Sequence, residues 1–181
     1  VLVDQRREPP VVVDALVAEV LDQLTEVSES LEMGAKDSQV TAFIAPDPIR
    51  RGGQAIGNSF WAQESSLGTT HIHEYVHTRQ AWGRDSTLEW IIEGSADYYA
   101  GYLAWEPLGI YDERRFYRYA STSRYQNAVL QDADSESTEW KNYNKGRRVL
   151  TALDIRIRRH TGGNQTLAAV FKSLNEKDGS A

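Results

Sequence analysis

The sequence predicts an α+β fold: a small sheet, confined to the first half, packs on a short central helix, and a mainly helical part follows. Three observations carry this reading. Extended, β-branched and aromatic segments occur only between Gln39 and Trp61. Apolar residues at helical three-and-four spacing recur through the rest of the chain. The 181 residues, 40% of them apolar, are enough to bury one sizeable core and sit near the upper end of usual single-domain size. The expected organisation is one domain over 1–181, in which 1–82 hold the sheet and the central helix and 83–181 form the helical part.

Taken in order, Pro9 and Pro10 lead into Val12, Val13, Leu16, Val17, Val20, Leu21, Leu24 and Val27, an amphipathic helix that should end near Gly34. Gln39 to Ala45 reads as a strand stopped by the turn at Pro46 and Pro48, and a second extended segment runs from Gln54 to Trp61 after the Gly52-Gly53 break. Helical periodicity returns from Leu67 to Trp82, with Gly83 placed to close it in a left-handed turn. Ser86 and Glu89 fit a capping box at the start of a helix from about Thr87 to Ala104, each satisfying a free backbone N–H. Tyr111 to Ala120 has helical character, whereas Gln131 to Glu139 is polar and acidic enough for a loop. Val149, Leu150, Leu153 and Ile157 mark a helix from Tyr143 to His160, closed by Gly162-Gly163. Gln165 to Leu174 makes a short last helix.

The formal charge of −6 argues against nucleic acid as a partner, because binding phosphates needs a basic surface that releases counterions. No run approaches the ~20 apolar residues of a membrane-spanning helix. There are no cysteines, so disulfide and thiolate chemistry are excluded and any zinc must be held by histidine and carboxylate. The compartment stays open, cytoplasmic or secreted after processing, for a chain expected to be soluble. A start at Val1 without an initiator Met is expected of a processed protein or an excised domain. Composition leaves the oligomeric state undetermined.

The chemistry concentrates at His73-Glu74-Tyr75-Val76-His77. Histidines four apart on a helix share a face and can direct two imidazoles at one ion. Glu74 then projects beside the metal, where its carboxylate can take a proton from the attacking water and later hand it to the leaving amine. A five-residue window matches this pattern by chance at roughly 1 in 30,000, so coincidence is a poor explanation. A catalytic zinc needs a third protein ligand and one open position. Glu93, 16 residues after His77 on the next helix, is the best candidate for that ligand. Among the four histidines, His71 points to another face, as a surface or pocket-wall residue, and His160 lies in a distant basic helix end. Asp97 follows Glu93 by one turn, which suits a carboxylate that accepts the other N–H of a metal-bound imidazole, most simply that of His73. On spacing alone, Tyr143 is an aromatic helix cap.

The order His73 to His77, then Trp90-Ile91-Ile92-Glu93-Gly94-Ser95-Ala96-Asp97-Tyr98-Tyr99, then Tyr143-Asn144-Lys145-Gly146, resembles the gluzincin zinc metallopeptidases and, within them, the catalytic domain of the glycyl aminopeptidase family. The likeness covers about the last 130 residues and continues through Leu153-Asp154 and Thr161-Gly162-Gly163. It implies a thermolysin-like α+β plan, one zinc ion per chain, and hydrolysis of peptide bonds in a peptide or protein substrate. It also implies that Tyr143 donates a hydrogen bond to the developing oxyanion, and that substrate lies along the strand before the active helix, beside Gly53, Gln54 and Asn58. In many aminopeptidase members that strand carries an acidic residue that captures the free amino terminus. Gly52 to Ser59 has the glycines and the Asn-Ser but no acid, so aminopeptidase and endopeptidase activity both stand.

Two other readings accompany the hydrolase. One is a non-catalytic, zinc-containing peptide-binding module derived from a peptidase, for which a base at Glu74 would be superfluous. The other keeps the hydrolysis but acts on a non-peptide amide or ester.

Overall fold

The computed structural model describes residues 2–3, 10–31, 33, 39–45, 52–63, 68–80, 89–130 and 138–178, with side chains from residue 15 onward and, in the helix that begins at Thr138, from residue 140. The elements run β1 (Leu2–Val3), α1 (Pro10–Ser30), β2 (Thr41–Ala45), β3 (Gly53–Ile56), β4 (Ser59–Gln63), α2 (Thr70–Arg79), α3 (Glu89–Trp105), α4 (Glu113–Ala120), α5 (Thr138–His160) and α6 (Leu167–Asp178). This is the mixed α+β arrangement expected, with the sheet in the first half and helices after it. The proposed helix closures at Gly34 and Gly83 and the capping box at Ser86 fall outside the described residues. So does most of the loop from Gln131.

The sheet has four strands in the order β1-β2-β4-β3. β1, β2 and β4 are parallel, whereas β3 runs antiparallel to β4 with Gly53 opposite Ala62 and Ile56 opposite Ser59. The single extended segment expected from Gln54 to Trp61 is therefore a hairpin. Gly57, at φ 59°, and Asn58 make its two-residue turn, where glycine tolerates the left-handed conformation. The consequence is positional: β4 is enclosed between β2 and β3, and among the described residues β3 and the two-residue β1 are the edges of the sheet.

Alternation explains the packing. Ala42 and Ile44 of β2, with Phe60 and Ala62 of β4, are buried in the core, and α2 lies on β4 and β3. On its other side α2 is covered by α3, so nearly the whole helix is enclosed. Its buried set includes His71, His73 and Glu74 beside Ile72, Tyr75 and Val76. Titratable groups are costly to bury unless they are paired, so this helix carries chemistry into the core.

α3 packs most extensively on α5. The two helices cross at Gly94 and Gly146, where a Cβ on Gly146 would lie 2.5 Å from the Trp90 carbonyl oxygen. α5 starts at Thr138, more than a turn before the expected Tyr143, so Tyr143 is inside the helix rather than at its cap. α4 is capped by Asp112, whose side chain accepts from the Arg115 N–H at 2.6 Å. Buried Asp154 joins three helices: it accepts from the Tyr98 hydroxyl of α3, from Arg158 one turn on in α5, and from the Leu167 N–H that opens α6. No helix among the described residues is long and apolar enough to cross a membrane.

Candidate metal centre

One turn of α2 brings His73 and His77 onto the same face, with their Nε2 atoms 2.9 Å apart. The packing of α3 against that face sets the Glu93 Oε2 at 3.3 Å from each of them. These three residues form the one group of at least three potential metal-ligand side chains found among the described residues. His71 does not join them. It is fully buried rather than lining a pocket or the surface, because it lies on the α2 face turned into the core. Its Nδ1 accepts from the Gly68 N–H at 3.2 Å, and burial pushes its pKa down to about 4.

The hydrogen bonds around the two imidazoles fix where their protons are. Gln80, at the C-terminal cap of α2, donates through Nε2 to the Ile92 carbonyl at 3.1 Å and lies 2.8 Å from the Ser95 hydroxyl. A carbonyl can only accept, so the amide nitrogen belongs there and Gln80 Oε1 faces His77 Nδ1, 2.8 Å away. The His77 proton is therefore on Nδ1. On His73, Nδ1 faces Asp97 Oδ1 at 3.3 Å, and Asp97 is ion-paired through its other oxygen with buried Arg147. Both Nε2 atoms are thereby left with lone pairs pointing at each other and at Glu93 Oε2, which is buried without a hydrogen-bond partner.

Three converging acceptors with no hydrogen among them are satisfied by a cation. For ligand bonds of roughly 2.0–2.1 Å, the edge of a coordination tetrahedron is about 3.3–3.4 Å, close to the separations seen here. His73, His77 and Glu93 would supply three ligand atoms to such an ion. The electrostatics agree. Burial alone would lower the His73 pKa, yet the facing carboxylates of Asp97 and Glu93 raise it to about 10. Burial would raise the Glu93 pKa, yet the neighbouring His73 and His77 imidazoles hold it well below the usual carboxylate range. The two carboxylates call for positive charge between them, and a proton supplies it where a cation does not.

Glu74 is 6% exposed and lies between α2 and the edge strand. It accepts a hydrogen bond from the Ala55 N–H. Burial raises its pKa; the nearby His73 and His77 oppose this, Glu93 adds to it, and the net shift is upward. Gly53 makes the close approach of β3 possible, since a Cβ there would lie 2.6 Å from Glu74 Cγ and 2.8 Å from the Trp61 carbonyl oxygen. Gln54 is exposed on β3, whereas Asn58 is in the hairpin turn, its carbonyl accepting from the Thr41 N–H at 3.0 Å. The Tyr143 ring stacks on His73, with centroids 5.4 Å apart, and Trp140 continues the series 6.0 Å beyond.

Sequence reasoning missed Gln80 and Arg147. Gln80 follows His77 by three residues, a spacing that shares its face, but a neutral amide carries no motif signal. Arg147 follows Tyr143 by four and stacks on the Tyr119 ring, its guanidinium carbon 3.7 Å from the centroid. It reads in sequence as one of several basic residues on an exposed helix.

No protein-family model matches the sequence, and no curated protein matches it. The fold, however, has a counterpart among solved structures. Over 98% of its length, with a TM-score of 0.72 and 20% sequence identity, the chain is similar to the crystal structure of an aminopeptidase N family protein from Idiomarina loihiensis. It spans 38% of that protein's length. At this identity the likeness establishes architecture, and the chain shares its α+β plan with one part of an aminopeptidase-family chain.

Proposed function

We propose that this chain is a zinc-dependent peptide hydrolase of the gluzincin kind, a single catalytic domain with one zinc ion held by His73, His77 and Glu93. The observation that supports this most is the convergence of three lone pairs beside a buried carboxylate, Glu74, which none of those three atoms uses. A structural zinc site closes all four positions with protein ligands, whereas a catalytic one keeps a position open. When bound, zinc supplies the Lewis acid that polarises a substrate carbonyl and makes a nearby water acidic at neutral pH.

The protein's own groups do the rest. Glu74 accepts a proton as water oxygen bonds to the carbonyl carbon, then delivers it to the amide nitrogen as the C–N bond breaks. A carboxyl whose pKa burial has raised is better matched to that exchange than an exposed one. Tyr143 donates its hydroxyl hydrogen to the oxyanion, a neutral donor aimed at charge that develops only in the transition state. Substrate backbone runs along β3. The Gln63 N–H bonds the Gly52 carbonyl, so antiparallel alternation turns the backbone groups of Gly53 and Ala55 outward, beside Glu74. Ser59 and Phe60 sit on the enclosed strand and take no part in that pairing.

The test is Glu74→Gln. An amide of the same shape cannot accept the proton, so the variant is expected to bind one equivalent of zinc, by metal analysis, and to cleave no member of a mixed peptide pool that wild type digests. Cleavage by the zinc-loaded variant would remove Glu74 from the mechanism. Stoichiometric zinc with no cleavage by wild type would instead favour the peptide-binding module.

A further inference from the structure

The two imidazoles are backed differently. Behind His73 stands a charged pair, Asp97 with Arg147. Behind His77 stands a neutral amide, Gln80, and that amide does two things at once. Its oxygen accepts from His77 Nδ1 at 2.8 Å, and its nitrogen bonds the Ile92 carbonyl, the residue immediately before Glu93, and Ser95, the second residue after it. Ser95 is fully buried and itself donates to the Ile92 carbonyl at 3.0 Å. One carboxamide thus touches the helix that carries two ligands and the helical turn that carries the third.

We infer that Gln80 is the positioning residue of the metal site: its oxygen holds His77 with the Nε2 lone pair facing the ion, and its nitrogen sets the depth at which the Glu93 turn of α3 meets α2. The inference rests on the proposed metal site and goes beyond it, because neither the three ligands nor Glu74 requires a partner at position 80. The choice of an amide has a physical reason. Glu74, Glu93 and Asp97 already place three carboxylates around the two imidazoles. A carboxylate at 80 would add a fourth, and it could not donate to the Ile92 carbonyl. An amide offers the acceptor that His77 needs and the donor that α3 needs, with no added charge.

The acceptor and donor roles separate in two variants. Gln80→Met keeps the length and the packing but offers neither group. Gln80→Glu keeps the acceptor and loses the donor. Zinc affinity is measured for each by competition with a chromophoric chelator, and thermal stability is measured on the metal-free proteins. Loss of an outer partner of a metal-bound histidine typically weakens metal binding 10–100-fold. Gln80→Met, which offers neither group, is expected to show that loss, while Gln80→Glu, which keeps the acceptor for His77 Nδ1 but not the donor that sets the Glu93 turn, binds zinc more tightly than Gln80→Met and less tightly than wild type, and its metal-free form melts below wild type. A residue that merely filled space or braced α3 would give the opposite order, with Gln80→Glu the weaker zinc binder. That order, or wild-type affinity in Gln80→Met, overturns the inference. Should Gln80→Met fail to fold, Ser95→Ala, which removes one anchor of the amide, is expected to weaken zinc binding by a smaller factor, and unchanged affinity there also overturns it. Absence of zinc binding by wild type itself would instead bring down the metal site.

Discussion

Gly94 and Gly146 meet face to face where α3 crosses α5, and neither position has room for a side chain. A Cβ on Gly94 would stand 2.7 Å from the Gly146 carbonyl carbon, and one on Gly146 only 3.0 Å from the Gly94 Cα as well as 2.5 Å from the Trp90 carbonyl. These obstacles are backbone atoms, which cannot swing aside. The crossing matters because its neighbours belong to the candidate metal site: Glu93 precedes Gly94, while Tyr143 and Arg147 flank Gly146 on one turn. The close approach of the two helices is what brings the carboxylate and the tyrosine to the same imidazole, that of His73.

Gly146→Ala tests that relationship. Replacing a helical glycine by alanine would ordinarily gain about 1 kcal/mol of helix propensity. Here overpacking against fixed backbone, which costs about 1–3 kcal/mol, is expected to exceed the gain. The variant should melt below wild type and bind zinc more weakly, since separating the helices moves Glu93. A rise in melting temperature would show that the crossing is looser than described.

Asp97 and Arg147 give a second test. Their charged groups are paired and largely shielded from water, and breaking such a pair from one side costs about 3–5 kcal/mol because the remaining charge is stranded. Arg147→Met is therefore expected to destabilise by an amount in that range in chemical denaturation. Asp97→Asn keeps an acceptor for His73 Nδ1 but loses the charge, so zinc affinity should fall by no more than about 10–100-fold, and because it strands the buried Arg147 charge it should also lower stability.

How much of this was legible beforehand follows from how local each feature is. The spacing of His73, Glu74 and His77 is a property of one helical turn, and Glu93 and Asp97 share a helix face by the same rule. The hairpin was harder. Gly57-Asn58 is a turn signal, but the residues on both sides are equally extended, and a continuous strand fits them as well. Nothing local announces that β2 and β4 pair in parallel or that two residues at Leu2–Val3 add a strand. The early start of α5 escaped because Trp140 is exposed and Tyr143 stacks on His73 rather than in the apolar core, so no apolar period marks that turn. Gln80 was invisible for the deepest reason: its partners at Ile92 and Ser95 are brought to it only by the packing of α3 on α2.

His71 sets a pH dependence separate from the metal. Burial lowers its folded pKa to about 4, against an ordinary value of 6.5. As pH falls below 6.5 the unfolded chain takes up the proton first, so unfolding is favoured. The contribution to stability is complete above pH 6.5 and is lost as pH drops toward 4, with a slope approaching ~1.4 kcal/mol per pH unit. His71→Asn can still accept from the Gly68 N–H but does not titrate. In the metal-free protein, the acid limb of stability against pH should be shallower for this variant by about one proton's slope; identical limbs would mean that His71 is solvated.

Gly53 decides whether β3 and Glu74, the proposed catalytic carboxylate, act as a unit. A methyl group at position 53 would press on Glu74 Cγ and on its Oε1, 2.6 and 2.8 Å away, and on the Trp61 carbonyl behind it. The carbonyl belongs to the β3–β4 ladder and is held, so Glu74 must give way. None of His73, His77 and Glu93 is among these contacts, so Gly53→Ala should retain its zinc. Displacing a catalytic group by about 1 Å can cost on the order of 100-fold in rate. The expected result is a fall in kcat of that order at saturating zinc and substrate, with metal stoichiometry unchanged. If kcat held while KM alone rose, the strand would be placing substrate without constraining Glu74, and the contact between Gly53 and that carboxylate would have no part in the chemistry.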